Sequence, residues 1–152
     1  MAEKESSPKL AHLRVRGVHE EGMRTQIQVR KFTFKVDEPT ELGGSDAAPN
    51  PMEYVLGGLI GCANVMLYLV AEEVGLLYSD AEYEVKGVID LRGLQGVSDV
   101  CRHFTEVSGT IYVGTNDKTK LAEVARQIES RCPVFNLLKD AGTKVAIEWK
   151  AR

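Results

Sequence analysis

The chain has 152 residues, a length that fits one domain better than two, and its 43% hydrophobic and 27% charged side chains are ordinary for a globular protein. The 19 basic and 22 acidic residues leave a net charge of −3. The basic ones are scattered, which removes the electrostatic case for a nucleic-acid or anionic-membrane partner. An N-terminus without an apolar signal core predicts a cytoplasmic protein, and 3 cysteines in that setting argue against a disulfide framework. The 3 histidines lack metal-ligand spacing, and no phosphate loop is present, so neither a metal nor another cofactor is expected.

Residues 1–9 are polar and are expected to be disordered, with residues 10–152 forming a single domain. Leu13 and Val15, alternating with Arg14 and Arg16, predict a first strand, and residues 17–22 read as the hairpin turn after it. Ile27 and Val29 predict a second strand, and Phe32, Phe34 and Val36 a third. Asp37 and Glu38 read as turn residues before Pro39. Asn50 then suits a helix N-cap, Pro51 the first helical position, and Glu53 the return contact of a capping box. Residues 54–71 carry no charge. Such a stretch is long enough to span a membrane. Internal Gly57, Gly58, Gly61 and Asn64, with acidic flanks at Glu53, Glu72 and Glu73, make it a poor hydrocarbon span. A helix apolar all round is instead buried on all sides. One small domain can hardly surround it, so a partner subunit is expected to complete the cover, with the glycines admitting close neighbours.

Tyr83, Val85 and Ile89 predict the next strand, residues 92–101 a loop, and Ile111 and Val113 a further strand that Cys101 would begin. Residues 117–131 form an amphipathic helix through Leu121, Val124, Ala125 and Ile128. Pro133 interrupts it. A short helix over residues 133–141 ends at Gly142, and Val145, Ile147 and Trp149 predict the last strand. Runs of strands around long helices read as α+β.

The chemistry available is thiol chemistry. Cys62 lies in an apolar helix, where a buried thiol is ordinarily a small inert hydrophobe. Cys132 precedes Pro133 at a helix N-terminus, and Arg131 adds positive charge, so local sequence makes Cys132 the nucleophile. Cys101 has Arg102 and His103 beside it but reads as a structural strand residue. Glu53 is explained as a cap.

The run Asp-Glu-Pro-Thr-Glu-Leu-Gly-Gly over residues 37–44 leads into Pro-Asn-Pro-Met-Glu-Tyr over 49–54. A helix with Gly61-Cys62 follows, then Arg131-Cys132-Pro133-Val134. This combination resembles the OsmC/Ohr family, named for osmotic induction and organic hydroperoxide resistance, from Leu10 to Lys150. The resemblance implies an α+β fold with antiparallel sheets around a long buried central helix, in an intertwined homodimer. It implies a thiol peroxidase that reduces organic hydroperoxides in an oxidative or osmotic stress response. Cys62 matches the peroxidatic thiol and Cys132 the resolving one, and a dithiol, lipoyl in one branch, is the reductant.

The family also sets an Arg and a Glu beside the thiol. Arg14, Arg16, Arg24 and Arg30 are open for the former, with Arg24 preferred. Glu53 is the acid, one position later than the family's Asn-Pro-Glu because Met52 stands in that place. Nine positions put Glu53 and Cys62 on opposite helix faces, about 13 Å apart along the axis, so only a bend or the partner chain joins them. Two alternatives stand beside the peroxidase. One is a non-catalytic protein binding an apolar ligand in the dimer-interface cleft. The other is a structural stress protein with inert thiols. Contact between the Cys62 and Cys132 sulfurs discriminates for the peroxidase.

Overall fold

The computed structural model describes residues 7–152, so the expected disorder of residues 1–9 falls mostly outside the described residues. Two compact units divide the chain, the first ending at Glu53 and the second running Tyr54–Arg152.

The first unit is an antiparallel meander of β1 (Arg16–Glu21), β2 (Arg24–Val29) and β3 (Phe32–Val36). β1 occupies the residues read as a turn. The true turn is Gly22-Met23, where Gly22 takes φ 56° at no steric cost. Leu13 and Val15 precede the strand and are exposed. Pairing explains the shift: β2 ends at Val29, and its register runs out at Gln28 opposite Arg16, leaving residues 13–15 without a partner. Beyond β3, the buried carboxylate of Asp37 organises the loop. It accepts bonds from the Ser45 hydroxyl at 2.5 Å and from the backbone N–H groups of Glu38, Ser45 and Ala47 at 2.9, 3.2 and 3.1 Å. These donors, the Ser45 hydroxyl foremost, hold its pKa down at about 2.

Helix α1 (Pro51–Val74) starts as the sequence predicts. The Glu53 N–H donates to Asn50 Oδ1 and the Asn50 N–H to Glu53 Oε2, both at 2.8 Å. The second unit also holds β4 (Ala81–Ile89), β5 (Phe104–Val113), α2 (Lys118–Arg131), α3 (Pro133–Asp140) and β6 (Lys144–Ala151). Its sheet has the order β4-β5-β6. β4 and β5 are antiparallel, but β6 lies parallel to β5, which corrects the expectation of wholly antiparallel sheets. The cause is the connection: α2 and α3 form a crossover that returns the chain to the end where β5 began. Central β5 buries Val107, Ile111 and Val113, and Val124 and Ile128 of α2 join them in the core.

α1 is buried along one face only, through Leu59, Ala63, Met66, Leu67, Val70 and Ala71. The opposite stripe is bare: Val65 is 57% exposed, Tyr68 56% and Leu69 43%. A Cβ placed on Gly57, Gly58 or Gly61 would meet nothing within 4 Å. Within one chain, therefore, the helix is not enclosed, and its glycines admit no close neighbour. By length and composition α1 is apolar enough to cross a membrane. Its covered face and its polar ties to β4 and α2 are those of a core helix.

Candidate functional site

Cys62 sits at the seam of α1, one residue before buried Ala63 and one after exposed Gly61, and is half-buried. Cys132 is placed by a break between helices. Pro133 disfavours a helical conformation in the residue before it, and Cys132 accordingly adopts φ −69°, ψ 116°. It closes α2 by donating its N–H to Ile128 O at 2.8 Å, and it opens α3 by accepting the Phe135 N–H on Sγ at 3.5 Å. These two frames bring the thiols together, with the Cys132 thiol directed at Cys62 Sγ across 2.8 Å.

The two sulfurs differ in environment. Cys132 is fully buried. Burial pushes its thiol up to about 11, the bond to Cys62 adds to this, and the N–H groups of Phe135 and Val134 oppose it. The helix terminus thus acts in the direction that local sequence suggests, but desolvation outweighs it and leaves the thiol pKa raised. The charge expected from Arg131 is engaged elsewhere. Its guanidinium forms a two-pronged contact with Glu73 of α1 at 2.6 and 3.0 Å and also donates to Gln127 Oε1 at 3.2 Å.

A narrow apolar cleft of about 10 Å³, room for roughly one water molecule, reaches Cys132, walled by Leu59, Ile60, Ile128, Phe135 and Trp149. Tyr83, also in its wall, donates its hydroxyl to Asn64 Oδ1 at 2.9 Å, and burial pushes its pKa up to about 12. Glu129 supplies the one carboxylate of the lining, its pKa raised by burial. Among the described residues, the Trp149 indole N–H is buried without an acceptor.

The other predicted residues are engaged locally. Glu53 is exposed and bonded to Asn50 in the capping box. Arg24 binds Glu20 at 2.8 Å and lies 3.6 Å from Glu21. Arg30 stacks over the Phe32 ring, 5.1 Å from its centroid, while Arg14 and Arg16 are exposed. Glu53 and the four arginines belong to the first unit, the two cysteines to the second. Cys101 does not begin a strand, because β5 starts at Phe104; its Sγ lies 3.5 Å from His103 Nδ1. Asn136 carries no mark in the sequence, and Glu73 only that of an acidic helix flank. Both act through partners distant in sequence or through backbone carbonyls, and no motif signals such contacts.

No curated protein sequence matches the chain. Solved structures do. An OsmC-like protein from Mycoplasma pneumoniae superimposes with a TM-score of 0.80 at 17% identity, covering 93% of this chain and 97% of that one. An organic hydroperoxide resistance protein from Elizabethkingia anophelis gives 0.75 at 16% identity, covering 96% and 100%. An organic hydroperoxide resistance protein OsmC from Legionella pneumophila gives 0.70 at 14% identity, covering 95% and 98%. At such identities the likeness is one of fold. The family model described as OsmC-like protein matches residues 43–148, a span that holds α1, both sheet-flanking helices and both thiols, and the chain belongs to that family.

Proposed function

We propose that the protein is a thiol-dependent peroxidase that reduces organic hydroperoxides in an oxidative or osmotic stress response, working as a cytoplasmic homodimer. The observation that carries this reading is the 2.8 Å separation of a half-exposed and a fully buried thiol. The Cys62 thiolate attacks the distal oxygen of ROOH, the O–O bond breaks, and the departing alkoxide takes a proton to leave as ROH. Cys62 becomes a sulfenic acid. Cys132 attacks that sulfur, its thiol proton leaves with the hydroxyl as water, and a Cys62–Cys132 disulfide forms. An external dithiol, of which a lipoyl group is one form, reduces the disulfide by two successive exchanges and is itself oxidised. The bare stripe of α1 supplies the surface for the second subunit.

Two of the similar structures bear the name organic hydroperoxide resistance protein, which agrees with this chemistry. Glu53 and Arg24 carry the family's acid and guanidinium by resemblance. Because both are engaged by neighbours in the first unit, a second reading has support: a non-catalytic protein that binds an apolar ligand in the dimer-interface cleft.

The experiment is single turnover with cumene hydroperoxide. Wild type should lose two thiols per peroxide and form a Cys62–Cys132 disulfide within one chain. Cys62→Ser should be inert, and Cys132→Ser should react once and stall as a sulfenic or sulfinic acid. Arg24→Met should slow the first step, and Cys101→Ser should match wild type. Untouched peroxide with every protein would overturn the peroxidase reading in favour of ligand binding or inert thiols.

A further inference from the structure

Cys132 is held by a side chain that neither touches the thiols nor belongs to the motif. The Asn136 amide donates from Nδ2 to three backbone carbonyls: Cys132 O at 2.9 Å, Glu129 O at 3.2 Å and Ser130 O at 3.3 Å. Every partner is an acceptor, so the amide nitrogen must face them. Glu129 and Ser130 lie in the last turn of α2, whose carbonyls have no intrahelical partner. Cys132 is the joint between α2 and α3. Asn136, one turn into α3, thus ties the end of one helix to the start of the next around the residue bearing the buried thiol.

The joint needs such a tie. Pro133 removes a backbone N–H that could have bonded back into α2. The backbone of Cys132 is extended, so the thiol's direction depends on how α3 leaves α2. Closing a disulfide from a sulfenic acid demands that Cys132 Sγ approach Cys62 Sγ along the S–O axis, to bonding distance and with a fixed dihedral. A swing of α3 about the joint would spoil this alignment without altering Cys62, which stands on a different helix.

We propose that Asn136 is a positioning residue for the resolving step: by fixing the α2–α3 joint it aims Cys132 at the oxidised Cys62. The assignment rests on the two-thiol reading above. Asn136 takes no part in peroxide attack. It governs how fast Cys62–SOH and Cys132–SH condense to disulfide and water, and so how long the sulfenic acid stays open to over-oxidation.

Asn136→Asp tests this with little change of shape, since it turns an oxygen toward three carbonyls. Asn136→Ser is the second variant, which loses the contacts without adding charge. Two readouts keep the proposals separate. In thiol–disulfide redox buffers at pH 7, the disulfide-to-dithiol ratio of the Cys62–Cys132 pair should fall by about tenfold or more in either variant. This is measurable whether or not the protein consumes peroxide. With one equivalent of cumene hydroperoxide, sulfenic acid should form within about twofold of the wild-type rate, and disulfide closure should slow by about tenfold or more. Sulfinate at Cys62 should rise accordingly. Acidification, by protonating the new carboxyl and restoring one donor, should narrow the deficit of Asn136→Asp but not of Asn136→Ser. Wild-type ratios and closure rates in a folded variant would overturn the proposal; should the Asp variant not fold, the Ser variant decides. If wild type leaves peroxide untouched yet the redox-buffer ratio falls in the variants, the positioning role stands and the peroxidase reading fails.

Discussion

Alkylation separates the two possible roles of Cys132 without any assumption about the substrate. Its thiol is pushed up to about 11 from an ordinary 9.0. At pH 7 roughly one molecule in 10⁴ carries it as thiolate, against roughly one in 10² for an ordinary thiol. That factor of about 100 is offset in part, because a more basic thiolate is intrinsically about tenfold more nucleophilic over such a gap. Ionisation alone therefore slows Cys132 by about tenfold, and its complete burial slows it further. With iodoacetamide at pH 7, followed by peptide mass mapping over time, Cys62 and Cys101 should be modified well before Cys132. In denaturant the three rates should converge. Alkylation of Cys132 ahead of Cys62 in the folded protein would refute the reasoning, restore the helix-terminus argument and reverse the two roles. The same shift has a consequence for stability. Between pH 9 and about 11 the folded protein keeps a proton that the unfolded chain has lost, so this group's contribution to stability is intact below 9 and is lost as pH climbs toward 11.

Three further outcomes are expected. Gly61→Leu and Gly58→Leu should leave the isolated chain folded, since a Cβ at either meets nothing within 4 Å, and should weaken dimerisation by about 1–3 kcal/mol through overpacking of a partner. Sedimentation across a concentration series reads this, and unchanged association in both variants would remove α1 from the interface. The Asp37 carboxylate, held at about 2 against an ordinary 3.8, stabilises the loop above pH 4 and loses that contribution as pH falls toward 2. Asp37→Asn should lower the melting temperature at pH 7 and flatten this acid limb, and an acid limb identical to wild type would show that other carboxylates set it.

The parts legible in the sequence are those decided by near neighbours. The Asn50-Pro51-Glu53 start of α1 is read directly because its bonds span three residues. α2 and α3 follow from periodicity and from Pro133 for the same reason. Alternation alone cannot place the start of β1, because a strand ends where its partner ends, and β2 gives out opposite Arg16. The orientation of β6 was equally hidden: Val145, Ile147 and Trp149 alternate alike in a parallel or an antiparallel strand.

The chemistry divides along the same line. Pro133 and the helix terminus are visible beside Cys132, and they predict a lowered thiol pKa. The burial that raises it comes from residues far along the chain, such as Leu59 and Ile111 of the adjoining cleft. Likewise Arg131 stands beside Cys132 in sequence, but its charge is engaged by Glu73, 58 residues away. The same tertiary contacts give each thiol its separate character. Because Cys62 lies on the seam of α1, it turns one side to the core and keeps the other near the bare glycine stripe. It meets Cys132 on the first side and is half-exposed on the second, beside the stripe proposed to meet the partner subunit. Had the thiol been placed at Ala63, one position on, it would share that residue's burial, and no peroxide could reach it. At Gly61 it would stand one helical step, about 100°, away from Cys132. Of these three neighbouring positions, the seam alone gives a half-exposed sulfur in contact with a buried one, the pairing that the proposed peroxidase chemistry needs.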